Sequence, residues 1–476
     1  MKKKSKFFFA VLTVLFLSAT FLSCREDSGV PTLIWWQIGG NNPRLPMYSR
    51  FLSEFTYAEI GVRVEIRQGT WGGAAQRFNA MINTGEYFDI MFSDVNTFTH
   101  FARLGAFADL TDLVREVSPD LFYSMPEDLW MGVSLDGRIM GVPTYKDSAS
   151  TDFAFWDAAL VERYGLDIDD NSWQGWDRNF RKIQAGGSIR HPYYLSRHCV
   201  DAIFLGFIGP VPMLPPVGVW YSDGQRRVVN TLEHPRVVEG YRYMRRWFLD
   251  GIINPEANFI DATPPYRPFF IAQAWPSVAA SFARSAGIEA YLPSKLFGPV
   301  FSMGSIQGSI NTISVNSRHK REALKLLELV NTNSTFRDML SFGIEGDHFE
   351  YVYMPDDGRR AIRRLRTDWP LINFMIGNFF ILTPEDVHPA GFWDEVRYLN
   401  NTAFTTPMLG FTMDISPVES EVMNTRNTWG RFATDLRTGA VDPDVELPRI
   451  ITELRRRGLD RIIAEAQRQI DEFFDQ

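Results

Sequence analysis

The chain holds 57 Asp and Glu, seven histidines and two cysteines, and the first question is whether any are spaced for catalysis. Two carboxylates suffice for glycoside hydrolysis, and composition alone leaves that chemistry open. The better-marked chemistries are missing. The sequence has no G-x-S-x-G elbow, no H-E-x-x-H helix, no phosphate-binding loop and no dinucleotide glycine pattern. His191 and His198 lie seven apart, the wrong spacing to chelate one metal from a helix face, and Cys199 beside His198 reads as chance. Two cysteines exclude a disulfide framework and a four-thiolate zinc site. Arg455-Arg456-Arg457 reads as a solvated helix end. No metal, cofactor or catalytic group is expected.

The composition is that of a globular protein, 45% hydrophobic and 22% charged, too apolar for a disordered chain. At 476 residues it has room for more than one domain. Lys+Arg 49 against Asp+Glu 57 gives a net charge of −8. That balance implies no basic face and argues against nucleic acid as a partner. Four of the lysines lie in Met1–Lys6, ahead of the apolar run Phe7–Leu22. The run is shorter than the roughly 20 residues that cross a bilayer. Basic start, apolar core and small residue predict a secretory signal peptide over 1–23; without it the charge is −12. Phe21-Leu22-Ser23-Cys24 resembles a bacterial lipobox, with Phe21 in place of the usual leucine. Cys24 is therefore expected to carry lipid, residues 24–31 to form a flexible tether, and Cys199 to be a buried thiol. No later apolar run approaches 18 residues; the longest, Leu371–Leu382, contains Asn373, Gly377 and Asn378.

The elements that must position any site read most clearly near the start. Thr32–Ile38 is β-branched and aromatic, as strands are. A helix follows over Arg44–Thr56, then the alternating Val62–Ile66, a helix over Gly72–Asn83, the short buried strand Asp89–Phe92 and a helix over Phe98–Leu104. Strand and helix alternating at this spacing predict βαβ units and a largely parallel sheet. Asp136-Gly137 between two apolar segments predicts a hairpin. After Pro143 the pattern turns helical, as in Ala158–Tyr164, and residues 191–222 read as loop and short helix. Pro235–Asp250 is a helix stopped by Gly251, with Val237, Val238, Tyr241, Met244 and Phe248 on one stripe. Arg318–Asn331 and Ser334–Phe342 form a helical pair. Near the C-terminus Pro448 is expected in a first turn, followed by a face of Leu447, Ile450, Ile451 and Leu454, and beyond Gly458 by a second apolar face from Leu459 to Phe473.

Taken together, several stretches resemble the bacterial extracellular solute-binding proteins of family 1, which serve ABC importers. They are the opening strand, Tyr87–Phe92 with Gly105–Leu110, Asp136–Pro143, and Trp156–Gly165 with Trp173. Gly343–Tyr351, Gly410–Val418 and Gly458–Asp471 are similar to the long lipoprotein subgroup. Trp156-Asp157 stands where the family has Tyr-Asn, and Gln273–Pro276 lacks an expected glycine.

The resemblance implies an α/β fold of two lobes, the type II periplasmic-binding-protein fold, with a central mixed sheet in each lobe, a hinge and an inter-lobe cleft. Residues 32–146 with about 300–385 would form one lobe, and 147–299 with about 386–476 the other. Ligands of open sheets sit beyond the strands' carboxyl ends, and that position nominates the contacts. They are Trp35 and Trp36 ending the first strand, Ser93, Asp94 and Asn96 after the third, Tyr145, Lys146 and Asp147 at the first crossover, and Gln307 and Ser309 where the chain returns. Trp220, Trp275 and Trp393 are candidate stacking platforms. Aromatic faces match a sugar ring, and Asp, Asn and Gln match its hydroxyls. The implied partners are a small solute, with carbohydrate favoured, the permease subunits of an ABC transporter, and a membrane through the lipid anchor. The protein would be a monomer outside the cytoplasm and not an enzyme. A lipid-anchored glycoside hydrolase and a structural surface lipoprotein are the rival readings.

Overall fold

The computed structural model describes residues 29–40, 42–70 and 73–475; Cys24 and the signal segment lie outside them. Nine strands matter for the site: β1 (Thr32–Gly39), β2 (Arg63–Thr70), β3 (Ile90–Ser93), β4 (Val142–Pro143), β5 (Ser150–Asp157), β6 (Phe269–Gln273), β7 (Tyr291–Phe301), β8 (Ile310–Ile313) and β9 (Phe404–Thr405). They form a five-stranded sheet, β2-β1-β3-β8-β4, and a four-stranded sheet, β6-β5-β7-β9.

In the first sheet β1 runs parallel to β2 and β3, while β8 is antiparallel to both β3 and β4. The expected parallel arrangement is thus interrupted by one returning strand. Asp89 pins its amino edge. The fully buried carboxylate accepts from the Ile34 N–H (2.9 Å), the Tyr87 hydroxyl (2.7 Å) and the Ser317 hydroxyl (2.6 Å), so β1, β3 and the segment after β8 share one acceptor. The core on this sheet draws on Leu33, Trp35, Ile90, Ile313, Leu324 and Phe336.

β2 is an edge strand, a row of unpaired backbone groups that invites pairing with another chain. Here helix α1 (Leu45–Ile60) covers it. Ser49 accepts from the Ile66 N–H at 3.0 Å, Ser53 bonds both the N–H and the C=O of Val64 at 2.9 Å, and Thr56 donates to the Val62 C=O at 2.8 Å. Serine and threonine one helical turn apart thus do the work of a neighbouring strand.

The second sheet is antiparallel across β6-β5-β7, and only β9 runs parallel to β7. It is buried on both faces, with Ala154 and Trp156 in a large core beside Phe180, Trp247 and Phe269, and Phe153 and Phe155 in a smaller one with Phe270 and Ala283. The chain passes between the sheets at 144–149, at 302–309 and again between Leu382 and β9.

Several expectations need correcting. Residues 150–157 form strand β5, where the pattern read as helical, and Val217–Trp220 is a strand inside the stretch read as loop. Pro448 sits inside a helix that starts at Pro443, capped by Asp442. On the Pro235–Leu249 helix, Gly240 and Trp247 join the buried stripe, while Val238 and Phe248 are only partly buried. Cys199 is a free, mostly enclosed thiol, pushed up to about 11 by burial. Among the described residues no helix is long and apolar enough to cross a membrane.

Candidate functional site

The carboxyl edge of the first sheet and the edge of the second sheet where β5 begins meet at the crossing segments. Some nominated residues at the first edge are occupied internally. Trp35 is in the core, its Nε1 donating to Asn311 Oδ1 at 3.0 Å. Trp36 is buried edge-on to Phe78, with the Arg77 guanidinium 4.9 Å from its ring centre. Ser93 faces Thr312 at 3.4 Å, Gln307 donates to the Gly132 C=O at 2.9 Å, and Ser309 donates to the Phe374 C=O at 2.6 Å. These bonds hold the polar atoms of Trp35, Ser93, Gln307 and Ser309 within the fold, whereas the Trp36 Nε1 is enclosed with no partner among the described residues. Asp94 is half-buried and accepts from the Asn96 N–H at 3.0 Å and the Thr97 hydroxyl at 3.0 Å, which opens the short helix Phe98–Arg103; Asn96 is exposed.

The first crossing segment is tightly held. Lys146 is buried and donates to Asp147 at 3.1 Å. The second Asp147 oxygen accepts from Gln273 Nε2 at 3.2 Å, so the end of β6 grips the segment. Asn400 clamps it from behind, donating to the Lys146 C=O (2.7 Å) and accepting from the Ala149 N–H (2.9 Å). The Tyr145 carbonyl accepts from the Phe379 N–H at 2.8 Å. Phe379 follows a segment fixed by Arg337, a fully buried guanidinium that donates to the Asn373 and Asn378 carbonyls at 2.9 and 3.1 Å and is pushed down to about 9 by burial.

Three nominated aromatics do come together. The Tyr145 ring lies 4.4 Å from Phe380, Phe380 is 6.4 Å from Trp393, and Trp393 is 6.1 Å from Trp275. Trp393 Nε1 donates to the Leu382 C=O at 2.8 Å, whereas Trp275 Nε1 is enclosed without a partner. Burial raises the Tyr145 hydroxyl above its usual range, against the pull of Arg397.

The second sheet contributes groups that sequence reasoning missed. Asp152 on β5 is 9% exposed and pairs across the sheet with Gln273 on one side and Phe297 on the other. Burial pushes its carboxyl up to about 6. Tyr221 lies 5.1 Å from Phe297 and 5.5 Å from Phe404, and Trp220 lies 5.1 Å from Tyr221 while stacking on His234 at 5.7 Å. The available signal was an aspartate, Asp152, near the start of the otherwise mostly apolar stretch Ser-Thr-Asp-Phe-Ala-Phe-Trp-Asp, which Asp157 ends. The 406–416 segment then bridges the two units. Leu409 packs on the first core, Met408 and Phe411 pack in the second, and Asp414 pairs with Arg103 at 2.9 Å.

Behind the aromatic chain, His388 stacks on Phe392 at 3.7 Å between ring centres. Its Nδ1 accepts from the Glu385 N–H at 3.3 Å, so Nε2 carries the proton and donates to Ser281 at 2.7 Å. Burial, then Arg284, Arg359 and Arg364, lower its pKa to about 4, with Asp386 opposing them. The unfolded side chain takes a proton near 6.5 and the folded one refuses it until about 4, so acid favours the unfolded chain. Stability should therefore fall by about 2 kcal/mol between pH 7.5 and 5 through this group alone. Urea unfolding of wild type and His388→Gln at both values checks this; an equal acid loss in the variant would refute it.

Comparison with known proteins agrees with this architecture. Residues 47–196 match the family "bacterial extracellular solute-binding protein", and residues 407–475 match a domain of unknown function (DUF3502). A carbohydrate ABC transporter substrate-binding protein of Streptococcus pneumoniae serotype 4 is 25% identical over 99% of each chain. The crystal structure of the N-glycan transport solute-binding protein NgtS from Streptococcus pneumoniae superposes with a TM-score of 0.83 at 23% identity, covering 94% of this chain and 99% of that one. The alginate-binding protein AlgQ2 superposes at 0.63 with 14% identity, covering 93% of this chain and 98% of that one. Residues 47–196 thus match the solute-binding family, and along nearly its whole length the chain has the two-lobed fold of these solved structures.

Proposed function

We propose that the protein is the substrate-binding component of an ABC importer, closing two lobes on an oligosaccharide and passing it unchanged to the permease. Residues 32–146 with about 300–385 make one lobe and 147–299 with about 386–476 the other, with the hinge in the crossing segments. The observation that carries this reading is the pairing of polar and aromatic groups where the two sheets meet: Asp147, Gln273 and Asp152 beside Tyr221, Phe297 and Phe404. Rings and acceptors on one surface suit a molecule with an apolar face and a rim of hydroxyls. The relatives support it: NgtS structures exist with Man1GlcNAc and Man5GlcNAc, and a FusA structure with kestose. The protein works outside the cytoplasm, held at the membrane by lipid on Cys24, and needs no cofactor.

Thermal unfolding of the chain from residue 25, read against a library of neutral and acidic oligosaccharides, tests this. A ligand at a hundred times its Kd should stabilise the protein by about 2.7 kcal/mol, and mass spectrometry should recover it intact. Cleaved sugar would instead favour a hydrolase, and no stabilisation across the library a structural role.

A further inference from the structure

We infer that Asp152 makes the cleft selective for neutral, hydroxyl-donating sugars over uronic acids. This rests on the oligosaccharide-binding reading above and adds a residue and a class of ligand to it. Comparably buried acids in this protein have donors. Asp89 has three, Asp157 holds the Ala159 N–H (2.9 Å) and the Tyr266 hydroxyl (2.8 Å), and Asp338 holds the Thr383 N–H, the Thr383 hydroxyl and the Tyr351 hydroxyl. Among the described residues Asp152 has none, and burial is the sole influence on its ionisation, unrelieved by a neighbouring donor or cation. A largely buried carboxylate with no protein donor, its oxygens still within reach of solvent, is an acceptor open to a ligand's hydroxyls.

Its place in the sheet says what would fill it. Directly across one strand boundary lies the Gln273 amide, already turned to Asp147; across the other lies Phe297, whose ring continues into Tyr221 and Phe404. Gln273 and Asp152, a regular cross-strand pair, share a face, and Phe297 is registered opposite Asp152 at a bulged step of β7, so the acceptor has an amide on one side and an aromatic residue on the other. Two neighbouring hydroxyls of a sugar stacked on those rings would donate to the two Asp152 oxygens. A uronate would bring a like charge to the same place, which is unfavourable. No cation among the described residues acts on Asp152, and Lys146 of the crossing segment is committed to Asp147.

Calorimetric titration of wild type and Asp152→Asn with mannopentaose and with a mannuronate pentamer, which differ at C6, tests the assignment. Wild type should bind the neutral sugar and reject the acid. Asp152→Asn should bind mannopentaose 10- to 100-fold more weakly while the unliganded variant melts higher at pH 7.5, since an uncharged amide replaces the partnerless anion. Affinity falling while stability rises is a pair of changes that a merely structural role would not give. Unchanged affinity in the variant, or equal binding of both sugars by wild type, overturns the inference and leaves oligosaccharide capture standing. If wild type binds no neutral sugar in the whole library, the underlying reading fails, and this one with it.

Discussion

Asp89→Ala should lose about 3–5 kcal/mol of stability, a large part of the 5–15 kcal/mol that holds a typical domain together. The carboxylate is fully buried and serves the Ile34 N–H, the Tyr87 hydroxyl and the Ser317 hydroxyl at once. Alanine removes three charge-assisted bonds and leaves the Ile34 N–H and the Ser317 hydroxyl enclosed without acceptors, the costly case for hydrogen bonds. Asp89→Asn should lose less, because one amide oxygen still accepts while its N–H₂ meets donors. Asp89 lies at the amino edge of the first sheet, away from the crossing segments. Sugar affinity of the molecules that remain folded should therefore match wild type. Denaturant unfolding paired with calorimetry separates the two quantities, and a stability loss under 1 kcal/mol for alanine would contradict this account.

Gly298→Ala should cost at least about 3 kcal/mol and disturb the 144–149 crossing segment as well. Gly298 sits in β7 at φ +89, where an added Cβ would fall 2.3 Å from the Ser150 carbonyl oxygen and 3.0 Å from the Thr151 Cα. The obstacle is backbone, so no rotamer change relieves it. Left-handed geometry alone costs an L-residue about 1–2 kcal/mol, and the displaced strand adds to that. Gly287→Ala is the matched control, since it has φ +69 but open space around it and should lose only the conformational share. Ser150 begins β5 immediately after Ala149, which Asn400 holds at 2.9 Å. Pushing that strand aside should loosen the clamp and weaken ligand binding, unlike Asp89→Ala. Equal melting temperatures for the two glycine variants would sink the argument.

Much of this architecture is legible in the sequence because its first third alternates cleanly. Thr32–Gly39 and Ile90–Ser93 are apolar and β-branched or aromatic between polar turns, and Gly61 and Gly85 stop the helices that separate the strands. Strand β5 is not legible, for a physical reason. Buried on both faces, it shows no period of two, and its last residue Asp157 caps the next helix, so along the sequence the helical pattern runs on without a break. Val217–Trp220 is hidden between prolines and glycines. Pro448 reads as a helix start because proline favours first turns, yet Asp442 and Pro443 supply the start one turn earlier.

The site was half legible. Chain position leads to Tyr145, Lys146 and Asp147, and the tryptophans are common enough that Trp275 and Trp393 fall in the aromatic chain beside the crossing segment. Position cannot tell which polar side chains are already engaged. Ser93, Gln307 and Ser309 stand at the right edge but spend their bonds on Thr312, Gly132 and Phe374. Asp152 is the converse. What distinguishes it is the lack of a donor, and that is a property of the folded surroundings, invisible along the chain.

The short strand Ile310–Ile313 lies between Ile90–Ser93 and Val142–Pro143. A growing polypeptide must therefore be about two-thirds made before its earliest sheet can close. Until then the two flanking strands wait on either side of an empty slot. Long-range closure of this kind is slow, so for most of its synthesis the chain carries the two flanking strands unjoined and its first sheet open.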